Sequence, residues 1–155
     1  MREEIKMKRN NKMKGWQSLT LMTFLLFSSF NVYAQLATEL PWKQLMDVHF
    51  EEDEMGESTP IFSKAVQAYN FQTVMVEGFM IPVDVEGDYY VLSAFPYSSC
   101  FFCGNAGPES VVELRLAKKG QRFQMDDARK FKGMLVLSQT PNGLIYVLED
   151  AELVQ

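Results

Sequence analysis

The sequence predicts an all-β domain folded as a small antiparallel barrel of the OB type, with one or two short helices. A β-sandwich is the alternative. Three observations support the barrel. Five or six segments with an apolar period of two lie between turn signals after Phe71, few residues recur at helical spacing, and Gly78 interrupts a long strand pattern. A glycine in the middle of a strand marks the bend that a small barrel needs to close.

A leader precedes this domain. Residues 1–14 carry six Lys and Arg against two Glu, and residues 19–30 are almost wholly apolar. That apolar run is shorter than the roughly 20 residues that a membrane span needs. Val32 and Ala34 place small residues at positions −3 and −1 of a cleavage site. We therefore expect residues 1–34 to be a signal peptide and residues 35–155 to be a single exported domain, either periplasmic or secreted.

The charge of the predicted mature domain limits its partners. Removing residues 1–34 takes away six of the 15 basic and two of the 20 acidic residues, so the net charge changes from −5 to −9. Affinity for nucleic acid depends on Lys and Arg that neutralise phosphates. An acidic exported domain is thus a poor candidate for nucleic acid, and membrane contact is expected only through the signal peptide. The expected partner is a protein or a small ligand of the cell envelope.

The first part of the mature chain combines short elements of several kinds. Pro41 stands at the first position of a predicted helical turn, because its fixed φ suits that position. Residues 47–50 are predicted as a short strand, and residues 51–58, with five acidic side chains, as a solvent-exposed loop. Apolar residues recur at helical spacing over residues 60–69, which predicts a short amphipathic helix capped by Thr59.

The strands of the barrel are predicted in the second part. They are expected at residues 73–82, 89–95, 110–116, 131–138 and 144–149, and residues 151–154 complete the chain. Glu86-Gly87-Asp88 and Asn142-Gly143 favour tight turns between paired strands. Residues 125–130, with Asp126 and Asp127 near their start, are predicted as a helical turn.

Both cysteines of the protein lie in residues 96–109, here called the Cys loop, as the pair Cys100-x-x-Cys103. A thioredoxin-type site needs a helix that begins at the first cysteine, but Gly104, Gly107 and Pro108 prevent such a helix. Covalent haem attachment needs a His directly after the second cysteine, and Gly104 stands there. Both of these chemistries are therefore disfavoured.

A transition-metal site, with zinc as the expected ion, is the leading hypothesis for this pair. Cys-x-x-Cys-Gly resembles half of a zinc knuckle, while a structural zinc site needs four ligands. The expected set is Cys100, Cys103, His49 and Glu109, or two chains that share one metal. The role would be binding, not catalysis. A thiol-redox domain that uses the same cysteines is one alternative, and an interaction module with a structural disulfide is another.

Three aromatic residues of the Cys loop are expected to contribute to binding: Tyr97, Phe101 and Phe102. Aromatic side chains on an OB barrel often form a platform on which ligands stack. The same rings would serve as core residues if they pack inward. Both interpretations remain open at the level of sequence.

The chain from about Trp42 to Leu153 resembles an uncharacterised family of exported bacterial domains of unknown function. The resemblance is carried by VEGFMIP at residues 76–82, by a Pro-Tyr-x-x-Cys loop at residues 96–100, by Pro108 and Gly133, and by the LEDAE segment at residues 148–152. Many relatives have a His two residues after this cysteine, where Phe102 stands here. The resemblance implies a soft ligand pair in one loop, and it argues against a disulfide.

Overall fold

The computed structural model describes residues 37–104, 106–141 and 143–154. The predicted signal peptide lies outside these ranges. Five short elements precede the barrel: β1 (Thr38–Glu39), α1 (Trp42–Leu45), β2 (Val48–Glu52), β3 (Ser58–Phe62) and α2 (Lys64–Gln67). Within the ranges that the structure describes, no helix is long and apolar enough to cross a membrane.

The next five strands form a closed barrel. They are β4 (Thr73–Asp84), β5 (Tyr89–Ser93), β6 (Val111–Leu116), β7 (Ala128–Leu137) and β8 (Tyr146–Leu153). The strand order is β4-β5-β6-β8-β7, and β4 pairs with β7 as well as with β5, so the sheet closes on itself. All pairs in the ring are antiparallel except β6 with β8. This arrangement confirms the predicted OB-type barrel and excludes the sandwich alternative.

Gly78 allows the barrel to close, as the sequence predicts. Phe79, the next residue, pairs with Ala128 of β7 and with Ser93 of β5, so β4 changes partner at this point. A Cβ atom at Gly78 would lie 2.5 Å from the carbonyl oxygen of Ser93 and 3.1 Å from the Trp42 ring. Any side chain would therefore force the two strands apart.

The main core fills the barrel interior and extends beneath the N-terminal segment. Its largest buried side chains include Tyr90, Tyr146, Phe131, Leu45 and Met80. The Tyr146 hydroxyl donates a hydrogen bond to the carbonyl oxygen of Leu45, the last residue of α1. This bond, together with the parallel pairing of β1 with β4, fixes the N-terminal segment against the barrel.

The predicted helix over residues 60–69 is wrong in its first half. Residues 58–62 instead form β3, which pairs with β2 in a two-stranded sheet, and a helix occupies only α2. Ser63 caps α2 by accepting a hydrogen bond from the Val66 amide at 3.3 Å. Ile61 is 43% exposed while Phe62 is buried, which is the alternation of a strand. The partner strand β2 supplies backbone hydrogen bonds that the helical spacing could not reveal.

The predicted helical turn over residues 125–130 is also wrong. The Asp126 amide donates to the Met80 carbonyl, and the Met80 amide donates to the Asp127 carbonyl, each at 2.9 Å. These bonds hold the segment against β4, so β7 begins at Ala128, earlier than predicted. Likewise, β8 continues through Asp150 to Leu153 as one strand, with an irregularity in its pairing.

Candidate functional site

The Cys loop connects β5 to β6 and is built from three 3₁₀ turns: Tyr97–Ser99, Phe101–Cys103 and Pro108–Ser110. Its two ends are fixed by hydrogen bonds. The Tyr97 amide donates to Asp126 Oδ1, and Ser110 Oγ donates to the Gly107 carbonyl, both at 2.7 Å. Gly104 ends the middle turn with a φ of 73°, a left-handed conformation that glycine adopts without strain. Cys100 therefore precedes a single short turn and no α-helix, in agreement with the sequence argument against a thioredoxin-type site.

The Cys loop covers the outer surface of the barrel. Cys100 packs with Ile81 of β4, Val91 of β5 and Val111 of β6 in a second buried cluster, here called the outer cluster. The strand neighbours of these residues belong to the main core, and successive strand residues point to opposite faces. The outer cluster therefore lies outside the barrel, where the Cys loop shields it from water. Phe101 packs against it as well.

This location matters because OB barrels commonly bind ligands on the face of their second and third strands. In this protein those strands are β5 and β6. The Cys loop occupies that face through Cys100 and Phe101. The Cys loop therefore covers the part of the barrel surface that other OB barrels use for binding.

The two cysteines are free thiols in different environments. Cys100 is fully buried in the outer cluster, while Cys103 is exposed. The Cys103 amide donates to the Cys100 carbonyl at 3.2 Å, so the pair spans one i to i+3 turn. Such a turn keeps the two Cα atoms within about 7 Å of each other. The backbone thus brings the two thiols near each other, but the side chains face an apolar cluster on one side and solvent on the other.

The fold does not bring the four expected metal ligands together. His49 is exposed on β2 next to Phe50 and opposite Ile61, while Cys100 is enclosed in the outer cluster. Within the described part of the chain, no three His, Cys, Asp or Glu residues lie close enough to hold a metal ion. The cysteine pair alone could supply two ligands.

A cleft of about 430 Å³ lies beside the Cys loop. Three segments that are far apart in sequence line it: the sheet of β2 and β3, which we call the acidic hairpin, the Cys loop, and the connection from β7 to β8. The lining residues are Phe50, Ser58, Phe101, Gly107, Pro108, Glu109, Gly143 and Ile145. Apolar side chains dominate this lining, and among the described residues that line the cleft only Glu109 is charged.

The sequence analysis identified two of these lining residues, Phe101 and Glu109. Tyr97 and Phe102, also expected to bind, are each 42% exposed but do not line the cleft. Phe102 instead meets the edge of the Phe101 ring, with the ring centroids 5.4 Å apart. Sequence reasoning missed Phe50 and Ile145, and no local pattern could have identified them, because only the tertiary contacts bring them to the Cys loop.

Glu109 brings a negative charge to the cleft and also acts on a buried tyrosine. Its carboxylate folds back over Gly107 so closely that a Cβ atom at Gly107 would collide with it. Burial raises the pKa of Tyr146 above its ordinary value, and the negative charges of Glu109 and Asp47 raise it further. The buried phenol therefore stays protonated at neutral pH and keeps its hydrogen bond to Leu45.

Comparison with known proteins supports the fold. No protein-family model matches the chain, and no curated protein matches it. Among solved structures, the chain is similar to a DUF3299 family protein from Pseudomonas aeruginosa, with a TM-score of 0.50 and 13% sequence identity. The similarity covers 77% of this chain and 97% of that one. That neighbour belongs to an uncharacterised domain family, which is consistent with the resemblance seen in the sequence, and the similarity at this identity concerns the fold alone.

Proposed function

We propose that this protein is an exported, non-enzymatic binding domain whose ligand occupies the cleft beside the Cys loop. The cleft itself carries the proposal. A concave site of this size, lined mainly by apolar side chains with one charged anchor among the described residues, is the usual form of a small-molecule site. Three separate segments of the chain form the cleft, next to the face of the barrel that the Cys loop covers.

Phe50 and Phe102 provide a matched pair of variants to test this proposal. Both are exposed aromatic residues, at 36% and 42%, but only Phe50 lines the cleft. Amide NMR spectra recorded with phenethyl alcohol as an apolar probe should shift at Gly107, Glu109 and Gly143. We expect Phe50→Ser to weaken this binding several-fold, since it removes one aromatic wall of the cleft, while Phe102→Ser should not. Equal losses in both variants, or no shifts at all, would refute the assignment.

Zinc binding remains a second proposal, restricted to Cys100 and Cys103 with further ligands from another copy of the chain. Its support is that both thiols are free and lie on one turn. Binding would require Cys100 to leave the outer cluster. Protein purified without chelator should then hold close to half a zinc per chain, and Cys103→Ser should abolish it. If reduced protein purified in this way contains no zinc, this role is excluded.

A thiol-redox role uses the same pair differently, with exposed Cys103 as the attacking thiol and buried Cys100 as its partner. Thiol counts across a glutathione redox series distinguish this role from metal binding. A pair that never changes state is not a redox centre.

The cell envelope is the proposed location, and an envelope protein or small ligand the proposed partner. This rests on the leader pattern of residues 1–34. Intact mass spectrometry of the protein from an expressing bacterium should show a chain that begins at Gln35. A mature protein that retains the leader would contradict the proposed export.

A further inference from the structure

We propose, as an extension of the binding function above, that the ligand of the cleft is a small organic amine. Its apolar body contacts the aromatic lining, and its ammonium group pairs with Glu109. The inference depends on the proposed function, because it names the chemical class that the same cleft accepts.

Glu109 is available for an external cation. Among the described residues it forms no hydrogen bond and no ion pair. The cations that do form ion pairs are engaged elsewhere: Arg115 with Glu113 and Glu149, Arg122 with Asp88, Arg129 with Asp127, and Lys130 with Glu39 and Glu77. The lining residues that the structure describes include no Lys, Arg or His. A carboxylate that is half-buried against apolar walls gains from a cationic partner, because its own hydration is reduced.

The segment that joins two of the lining residues has the same sign of charge. Phe50 and Ser58 line the cleft from the two strands of the acidic hairpin, and residues 51–57 connect them. These seven residues contain five Asp and Glu and no basic residue. Their summed field attracts cations towards the cleft and repels anions from it. An anionic ligand of the same shape is therefore disfavoured both by this segment and by Glu109.

The remaining lining selects the apolar part of the ligand. Phe50 and Phe101 contribute aromatic rings, which attract cations as well as apolar groups. Pro108 and Ile145 add aliphatic surface. The volume of about 430 Å³ is within the range of sites that hold small molecules. An amine with an aromatic or branched aliphatic body packs against the apolar lining and pairs its ammonium group with the Glu109 carboxylate.

Three probes of similar shape and different charge test the inference: cationic phenethylamine, neutral phenethyl alcohol and anionic hydrocinnamate. Each is titrated at millimolar concentration into the folded domain, and binding is followed by amide NMR. We expect the amine to bind about fivefold or more tightly than the alcohol, as one charge-assisted contact allows, and the carboxylate to bind most weakly. Glu109→Gln keeps the shape of the side chain and should remove the preference for the amine over the alcohol. Glu86→Gln, which removes one exposed charge in the turn between β4 and β5, should leave the preference intact.

The outcomes separate this inference from the proposed function. Equal affinity for amine and alcohol, or a preference that survives in Glu109→Gln, overturns the amine assignment while the binding site stands. The absence of shifts in the cleft with every probe overturns both.

Discussion

Replacing Cys100 and Cys103 by serine, one at a time, should have very different effects on stability. Cys100 is fully buried, and its neighbours in the outer cluster, Ile81, Val91 and Val111, offer only hydrocarbon side chains. A serine hydroxyl placed there without a partner costs about 1–3 kcal/mol. Cys103 is exposed, so the same substitution there should change the free energy of unfolding by no more than about 0.5 kcal/mol.

Urea unfolding with reductant and chelator present measures both variants under conditions that remove metals and disulfides. A loss of about 1–3 kcal/mol is large against the roughly 5–15 kcal/mol that stabilise a typical domain, so the difference is readily resolved. Equal destabilisation by the two variants would refute the reasoning, since it would mean that the two thiols act as a unit. Repeating the series with added zinc tests the metal proposal in the same assay, because a shared ion would make Cys103→Ser costly.

Two further predictions concern the barrel. Gly78→Ala should lower the free energy of unfolding in urea by about 2 kcal/mol or more, because the added Cβ meets the Ser93 carbonyl. Gly56→Ala is the control, since its Cβ meets nothing within 4 Å. It should cost only about 1 kcal/mol, because Gly56 has a positive φ. Similar values for the two glycines would contradict the proposed close approach. Tyr146→Phe should cost about 1–3 kcal/mol at neutral pH, because the Leu45 carbonyl loses its donor. The folded-state pKa of Tyr146 is raised, so the stability that the protonated phenol contributes is lost as pH rises above its ordinary value of about 10. The variant should accordingly lose stability less steeply than wild type above that pH, by up to about 1.4 kcal/mol per pH unit, and parallel pH profiles would refute the assignment.

Much of the barrel could be predicted from local signals. The alternating pattern of residues 110–116 matches β6 closely, and the pattern of residues 73–82 lies within β4, because strands with one face in the core repeat every two residues. Gly78 was identified as the bend for the same local reason. The secondary-structure predictions that are wrong concern segments where hydrogen bonds to a distant strand decide the conformation and the local spacing of apolar residues does not. Residues 58–62 became a strand because β2 offers backbone partners, and residues 125–127 are held by hydrogen bonds to Met80.

The candidate site was predictable only in part. The sequence identified the Cys loop as its centre, and it correctly found no helix behind Cys100. The structure does not bring the four expected metal ligands together in one group, because His49 lies in a hairpin whose path depends on long-range pairing. Phe50 and Ile145 were missed for the same reason.

The sequence by itself determined the all-β character of this protein, the order of the five barrel strands, and the acidic charge of residues 35–155. These properties depend on side-chain periodicity, turn residues and composition, which are local or additive. The tertiary structure alone decided that Cys100 is buried while Cys103 is exposed, and that Glu109 faces an apolar cleft. Both follow from barrel closure, since the Cys loop covers the outer face of β5 and β6 and meets the acidic hairpin only after β4 has paired with β5 and β7.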